Sequence, residues 1–244
     1  MKTGLVSVTF RDKNPEEIIK IVKEEKLDSI EWGSDVHIPP NDLKNASEIL
    51  KKMDGLETIS YGTYYRIGED MSFNEYLETA IAIKTKNIRV WAGRKNREDA
   101  NEEYFEKAVK DATCIADKAK KYGIDISFEY HLGTLTNSQN ATIELLSTID
   151  RENVYTYWQA LKNRDIATNI KDISQLSSMK KLKNIHAFQW KNEDVFMLSE
   201  GFEEWKTYLS NANANACLLE FVKDNKIENY RADAKTLKEI LSNI

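Results

Sequence analysis

One βαβ unit can be read directly from residues 87–131, NIRVWAGRKNREDANEEYFEKAVKDATCIADKAKKYGIDISFEYH. Residues 87–92 form a short run of mainly apolar and aromatic side chains, which is typical of a buried strand. Residues 102–122 repeat apolar side chains at helical spacing and end in lysines before Gly123, a residue type common just after a helix. Residues 124–131 then return to a strand pattern. This order predicts two parallel strands joined by a helical crossover.

The same alternation runs through the whole chain. Candidate strands lie at 3–10, 28–32, 56–61, 87–92, 124–131, 153–159, 184–190 and 216–222. Helical patterns follow them at 15–26, 41–53, 72–85, 102–122, 138–149, 168–181, 201–211 and 233–243, with Asp233 as the expected N-cap of the last. Eight such units close most simply as a barrel, and about 250 residues is the usual size of one. We therefore predict a single α/β domain at 1–244, a (β/α)8 TIM barrel.

The competing arrangement is an open, doubly wound sheet. Such a sheet would normally place a glycine-rich phosphate-binding turn after its first strand. Residues 10–14, FRDKN, contain no glycine, so the closed barrel is favoured.

Composition excludes several classes of protein. Hydrophobic residues make up 41% and charged residues 31% of the chain, which indicates a globular protein with a sizeable core. The net charge of -5, without a basic stripe, argues against nucleic acid as a partner. Cys114 and Cys217 lie far apart and have no close Cys or His neighbour, which fits a reducing, cytoplasmic compartment. No apolar run approaches the ~18 residues of a membrane span, so no membrane is expected.

Polar side chains collect at the ends of the predicted strands, where the active site of such a barrel lies. Alternation puts Ser127, Glu129 and His131 on one face of the fifth strand, and we expect that polar face to point to the barrel axis. Glu220 stands among the apolar residues 217–222, where an unpaired carboxylate would be costly to bury. A cation is therefore expected beside Glu220.

Two kinds of cation remain open at this point. A divalent metal held by Glu129, His186 and Glu220, with a fourth protein group and water, would leave room for substrate. Alternatively, each carboxylate pairs with a lysine or arginine across the barrel, Lys223 being one candidate.

Aromatic side chains surround the predicted mouth: Trp32, Tyr61, Tyr64, Tyr65, Trp91, Trp158 and Trp190. Sugars pack their apolar faces on such rings, so the group favours a carbohydrate-like ligand, although any single ring is more typical of core packing. The substrate-binding candidates are Glu31, His37, Tyr61, Arg66, Trp91, His131 and Gln189, and Arg11 lies on the first loop.

Most of the chain resembles the sugar phosphate isomerase/epimerase family, the xylose-isomerase-like barrels related in fold to endonuclease IV. The resemblance is carried by residues 30–40 (IEWGSDVHIPP), 60–66 (SYGTYYR), 89–93 (RVWAG), 129–136 (EYHLGTLT) and 219–221 (LEF). In that family a Glu, an Asp, a His and a Glu on strands five to eight hold one divalent ion. The resemblance implies Glu129, Gln159, His186 and Glu220 as metal ligands for manganese, zinc or magnesium, with Gln159 in place of the aspartate.

The resemblance also implies an activity. Family members that isomerise or epimerise sugars use two metal-bound glutamates as acid and base across an enediolate, and these would be Glu129 and Glu220. The predicted function is a metal-dependent isomerase or epimerase of a small sugar or sugar phosphate, and the family points to homo-oligomers. One alternative is a hydrolase of the endonuclease IV type, for which three histidines are few. The other is a catalytically inactive sugar-binding barrel, which the neutral Gln159 keeps open.

Overall fold

Eight parallel strands form the centre of the computed structural model, which describes residues 1–162 and 164–244. The barrel strands are β1 (Lys2–Val6), β2 (Ser29–Gly33), β3 (Glu57–Arg66), β4 (Asn87–Trp91), β5 (Asp125–Phe128), β6 (Val154–Trp158), β7 (Leu182–Ala187) and β10 (Ala216–Leu219). They close in the order β1-β10-β7-β6-β5-β4-β3-β2, with every neighbouring pair parallel. The predicted (β/α)8 barrel is confirmed.

Eight α-helices connect these strands in the described part of the chain. They are α1 (Pro15–Glu24), α2 (Leu43–Met53), α3 (Asn74–Ala82), α4 (Glu102–Lys120), α5 (Gln139–Ile149), α6 (Ile166–Ser178), α7 (Phe202–Ser210) and α8 (Ile227–Ser242). Sequence signals set the start of α1, because Asn14 and Glu17 cap each other's backbone N–H groups and Pro15 takes the first helical position. Among the described helices, none is both long and apolar enough to cross a membrane.

The two faces of each barrel strand meet different surroundings. On β5, Ile126 and Phe128 belong to the apolar core, whereas Ser127 faces a polar interior. The Ser127 hydroxyl donates to Asn87 Oδ1 at 2.6 Å, and the Asn87 amide donates to Ser60 at 3.0 Å. Buried polar groups are tolerated when they are hydrogen-bonded in this way. This interior layer supports the residues at the strand ends above it.

Five predicted strands end several residues from their expected positions in the structure. Strand β3 continues to Arg66 instead of 61, β5 ends at Phe128 instead of 131, and β10 ends at Leu219 instead of 222. In the other two the chain changes course. The first, 3–10, ends at Val6 and continues as a 3₁₀ turn, Ser7–Phe10. The seventh, 184–190, divides into β7 and a short strand β8 (Gln189–Lys191), which pairs antiparallel with β9 (Asp194–Phe196) outside the barrel. Apolar composition continues across both breaks, so the pattern alone does not mark them.

The prediction for the last helix was wrong at its start. Helix α8 begins at Ile227, and Asp233 lies inside it rather than at its N-cap. The Asp233 carboxylate is buried and accepts a hydrogen bond from the backbone N–H of Leu198 at 2.8 Å. A distant backbone group therefore uses the carboxylate that local capping rules assign to the helix start.

Candidate active site

A cavity of about 530 Å³ opens at the carboxyl ends of the barrel strands. Its volume is in the range of sites for small molecules. Its lining includes, from successive strand ends, Arg66, Trp91, Glu129, His131, Gln159 and Glu220. The barrel therefore brings residues that are far apart in the sequence to one pocket.

Arg89 links two carboxylates at the floor of this cavity. Its Nε atom lies 2.7 Å from Glu31 Oε1 and its Nη1 atom lies 2.8 Å from Glu129 Oε2. All three side chains are buried. Arg89 projects from β4 and thereby joins a carboxylate of β2 to one that directly follows β5. Burial by itself would lower the pKa of Arg89, but Glu129 and Glu31 hold it well above its usual range.

His186, on β7, is completely buried beside the same group. Its Nδ1 atom lies 3.4 Å from Glu220 Oε2 and 3.5 Å from Glu129 Oε1, while Nε2 lies 3.5 Å from Glu31 Oε1. Burial alone would lower the pKa of His186, but the three carboxylates outweigh it and raise the pKa to about 10. His186 is therefore a second cation of the site at neutral pH.

The three carboxylates have different proton affinities. Burial would raise the pKa of each, but Arg89 and then His186 hold the pKa values of Glu31 and Glu129 below their usual range. For Glu220 burial prevails, and its pKa is raised to about 7. Near neutral pH the floor of the cavity thus presents Glu129 as a carboxylate and Glu220 as a group that exchanges a proton. Two carboxyl groups with separated pKa values are typical of acid–base catalysis.

Comparison with known proteins places this geometry in context. No protein-family model matches the sequence. The chain is 25% identical over 167 residues to a 3-dehydroshikimate dehydratase of Bacillus anthracis, a match covering 63% of this chain and 60% of that enzyme. The structure of this chain is similar to that of the IolI protein with a bound zinc atom, with a TM-score of 0.80 and 17% identity, and the match covers 100% of this chain and 99% of that one. It is also similar to D-psicose 3-epimerase with D-fructose (TM-score 0.72, 14% identity, 98% of each chain).

Other solved structures that share the architecture are described as xylose isomerase-like TIM barrels. The chain has the xylose isomerase-like fold. The resemblance predicted from the sequence is thereby confirmed at the level of the fold, and the two named enzymes that share it are a dehydratase and an epimerase. Because a fold of this kind supports several chemistries, the reaction has to be argued from the site.

The four residues implied as metal ligands lie together in this xylose isomerase-like barrel, but their arrangement does not fit a metal ion. The Gln159 amide oxygen is buried without a hydrogen-bond partner in the described residues, which leaves that oxygen free to bind a ligand. However, no group of three or more His, Cys, Asp or Glu side chains in the described chain is arranged to hold a metal ion. The Arg89 guanidinium instead contacts Glu129 directly. Lys223, the other candidate cation, pairs with Glu200 at 3.8 Å.

Three of the predicted substrate-binding residues form one wall of the cavity. The Arg66 guanidinium packs over the ring of Trp91 at 4.5 Å, and the ring of His131 meets Trp91 edge-on at 5.1 Å. Trp91 also stacks with Tyr64, with ring centroids 6.1 Å apart. This wall of the cavity therefore consists of aromatic rings, and the Arg66 guanidinium gives it a positive charge.

The other four predicted substrate-binding residues are absent from the described lining of the cavity: Glu31, His37, Tyr61 and Gln189. Each contacts other groups of the protein. Glu31 pairs with Arg89, and the Tyr61 hydroxyl donates to a backbone carbonyl at 2.7 Å. His37 Nε2 lies 3.0 Å from another carbonyl, and Gln189 accepts a hydrogen bond from an indole N–H at 3.0 Å. Their roles in binding stay predictions.

Arg89 and Tyr157 are site residues that the sequence reasoning missed. The Tyr157 hydroxyl donates to Glu31 Oε2 at 2.7 Å, so both oxygens of that carboxylate are engaged. A signal for Arg89 exists in the sequence, because a charged arginine stands between the apolar residues Ile88 and Val90 of a buried strand. A charge at an inward-facing strand position requires a buried partner.

Proposed function

We propose that this barrel is an enzyme that moves a proton at the carbon next to a carbonyl group of a small polyhydroxylated substrate, as an isomerase or epimerase. The observation that supports it is the pairing of Glu129 and Glu220 at the cavity floor, where one oxygen of each carboxylate lies within 3.5 Å of the same nitrogen, His186 Nδ1. The pKa of Glu129 is held low, whereas that of Glu220 is raised to about 7. One group can accept a proton while the other supplies one.

In this mechanism the Glu129 carboxylate removes the proton from the carbon next to the carbonyl, and an enediolate forms. Arg89, which lines the cavity, stabilises the negative charge that develops on the oxygen, and His186 adds positive charge from below. Glu220 delivers a proton to the intermediate. Delivery to the opposite face of the same carbon completes an epimerisation. For an isomerisation, the hydroxyl proton of the enediolate first moves to the former carbonyl oxygen, and the proton from Glu220 is then delivered to the former carbonyl carbon.

The lining of the cavity supports a carbohydrate-like substrate. Besides Tyr64 and Trp91, the rings of Phe188, Trp190 and Phe221 line it. Aromatic rings of this kind pack against the apolar faces of sugars, while polar groups at the floor bond to hydroxyls. The sugar substrate of the similar epimerase agrees with this choice.

Dehydration is a second candidate, because the curated relative is named a 3-dehydroshikimate dehydratase. Loss of water from a hydroxylated ketone also begins with removal of the proton next to the carbonyl. Glu129 would again act as the base, and Glu220 would protonate the leaving hydroxyl. The two candidates share the first step and differ in what happens to the enolate.

Proton exchange in D2O tests the proposal. We would incubate the protein with ketoses, epimeric sugars and hydroxylated cyclic ketones, and follow deuterium at the carbon next to the carbonyl by NMR. Exchange that is lost in Glu129→Gln and Glu220→Gln would support it. The control is Glu144→Gln, which changes an exposed carboxylate paired with Arg97.

The product separates the two candidates. A sugar of changed configuration or carbonyl position indicates an isomerase or epimerase, and a conjugated product that absorbs ultraviolet light indicates a dehydratase. Folded wild-type protein that exchanges no substrate of the panel would contradict the proposal.

A further inference from the structure

We infer that the Arg89 guanidinium is the resident cation of this site and takes the place of the divalent ion that the resemblance implies. The inference concerns the composition of the site and does not depend on which reaction the barrel catalyses.

The position of Arg89 is built into the barrel. Gly62, on the neighbouring strand β3, has no Cβ, and a Cβ there would lie 2.6 Å from Arg89 Nη2 and 2.7 Å from Glu31 Oε1. Both distances are shorter than a Cβ contact allows. Only a glycine at position 62 therefore leaves space on β3 for the ion pair between Arg89 and Glu31. The second oxygen of Glu31 accepts from the Tyr157 hydroxyl at 2.7 Å. One oxygen of Glu31 therefore accepts from Arg89 and the other from Tyr157, so Tyr157 holds the Glu31 carboxylate in place beside Arg89.

The contact between Arg89 and Glu129 opposes a metal ion directly. Arg89 Nη1 lies 2.8 Å from Glu129 Oε2. A divalent ion bound to the Glu129 carboxylate would lie roughly 2 Å from its oxygen. The guanidinium and the ion would then be close neighbours of like charge in a buried site, where repulsion is weakly screened.

Gln159 also makes the site less attractive to a divalent ion, because it lowers the negative charge of the ligand set. The family pattern offers three carboxylates to the ion, and this chain offers only Glu129 and Glu220, with a neutral amide at the third position. The site therefore holds a guanidinium beside the ligands and an amide where the resemblance implies a carboxylate. Both features weaken the attraction for a divalent ion.

The free amide oxygen of Gln159 has a use without a metal. It is buried, lines the cavity and has no hydrogen-bond partner in the described chain. A hydroxyl group of a substrate can donate to it. A site of this composition binds an uncharged polyol through amide and carboxylate oxygens and leaves the charge stabilisation to Arg89.

Metal content tests the inference. Untagged wild-type protein would be stripped with a chelator, incubated with Mn²⁺, Zn²⁺ or Mg²⁺, desalted and measured by elemental mass spectrometry, with melting temperatures recorded in parallel. We expect wild type to retain less than about a tenth of an equivalent and to show no saturable stabilisation. The double variant Arg89→Met, Gln159→Asp removes the cation and restores the carboxylate. It should retain about one equivalent of Mn²⁺ or Zn²⁺ and melt at a higher temperature with the ion than without it.

Arg94→Met is the matched control, because it removes an exposed arginine paired with Glu69 at 3.7 Å. It should stay as free of metal as wild type. Wild type that retains about one equivalent, lost in Glu220→Gln, would overturn the inference. A folded double variant that remains free of metal would also overturn it, because Arg89 and Gln159 would then not be what excludes the ion. Metal content and melting temperature are measured without a substrate. A result that overturns this inference can therefore be distinguished from one that overturns the proposed reaction.

Discussion

Replacing Arg89 with methionine removes a positive charge from the floor of the cavity and keeps a long side chain. Glu31 and Glu129, which lie 2.7 and 2.8 Å from the guanidinium, both lose that partner. Removing one partner of a buried ion pair costs about 3–5 kcal/mol, since the remaining charge stays desolvated. Glu31 keeps the Tyr157 hydroxyl at 2.7 Å, and His186 lies 3.5 Å from each carboxylate. These contacts limit the loss, so we expect the free energy of unfolding to fall by about 3–5 kcal/mol rather than twice that.

Urea denaturation at pH 7, monitored by far-ultraviolet circular dichroism, measures this loss. The dependence of the unfolding free energy on urea concentration should be the same in wild type and variant. Arg94→Met, at the exposed pair with Glu69, is the control and should cost about 0–1 kcal/mol. The double variant Arg89→Met, Glu31→Gln should be more stable than Arg89→Met, because it removes one of the unpaired charges. An Arg89→Met variant that loses no more than Arg94→Met would refute the reasoning.

Three further predictions concern the site. Glu220→Gln should lower deuterium exchange about 100-fold or more while the melting temperature stays at or above that of wild type, because an amide transfers no proton but is cheaper to bury; a variant that keeps wild-type exchange would remove Glu220 from the mechanism. The three carboxylates outweigh the effect of burial and raise the pKa of His186 from its ordinary value of 6.5 to about 10, so its stabilisation is complete below pH 6.5 and is lost as the pH rises towards 10. Urea titrations from pH 6 to 10 should therefore show falling stability, and the fall should be shallower in His186→Gln. Trp91→Ala removes the ring that contacts both Tyr64 and Arg66 and should raise KM about two- to tenfold with little change in kcat, whereas an unchanged KM would show that the substrate does not contact this ring.

Much of the architecture follows from local patterns. The alternation of short apolar runs with amphipathic stretches predicts the eight barrel strands and their helices, because each pattern reflects the burial of one element against its neighbours. The same reasoning predicts that Glu129, His186 and Glu220 meet, since the carboxyl ends of parallel strands share one end of a barrel. In the structure an oxygen of each glutamate lies within 3.5 Å of His186 Nδ1.

Other features depend on partners that are distant in the chain. The pattern at 233–243 suits a helix start at Asp233, but the helix begins at Ile227 and the Asp233 carboxylate accepts a hydrogen bond from the backbone of Leu198. The break between β7 and β8 likewise depends on pairing with β9 outside the barrel. In both cases tertiary contacts override a local preference.

The sequence by itself determined that the barrel forms and which strand ends carry acidic and imidazole groups. Only the tertiary structure decided which cation neutralises them. Arg89 is 58 residues from Glu31 in the chain, and nothing in either segment states that the two side chains meet. Barrel closure sets the distance between β2, β4 and β5, and the absence of a Cβ at Gly62 lets the guanidinium reach both carboxylates. Electrostatic energy in a buried site depends on these distances, which no local sequence pattern contains.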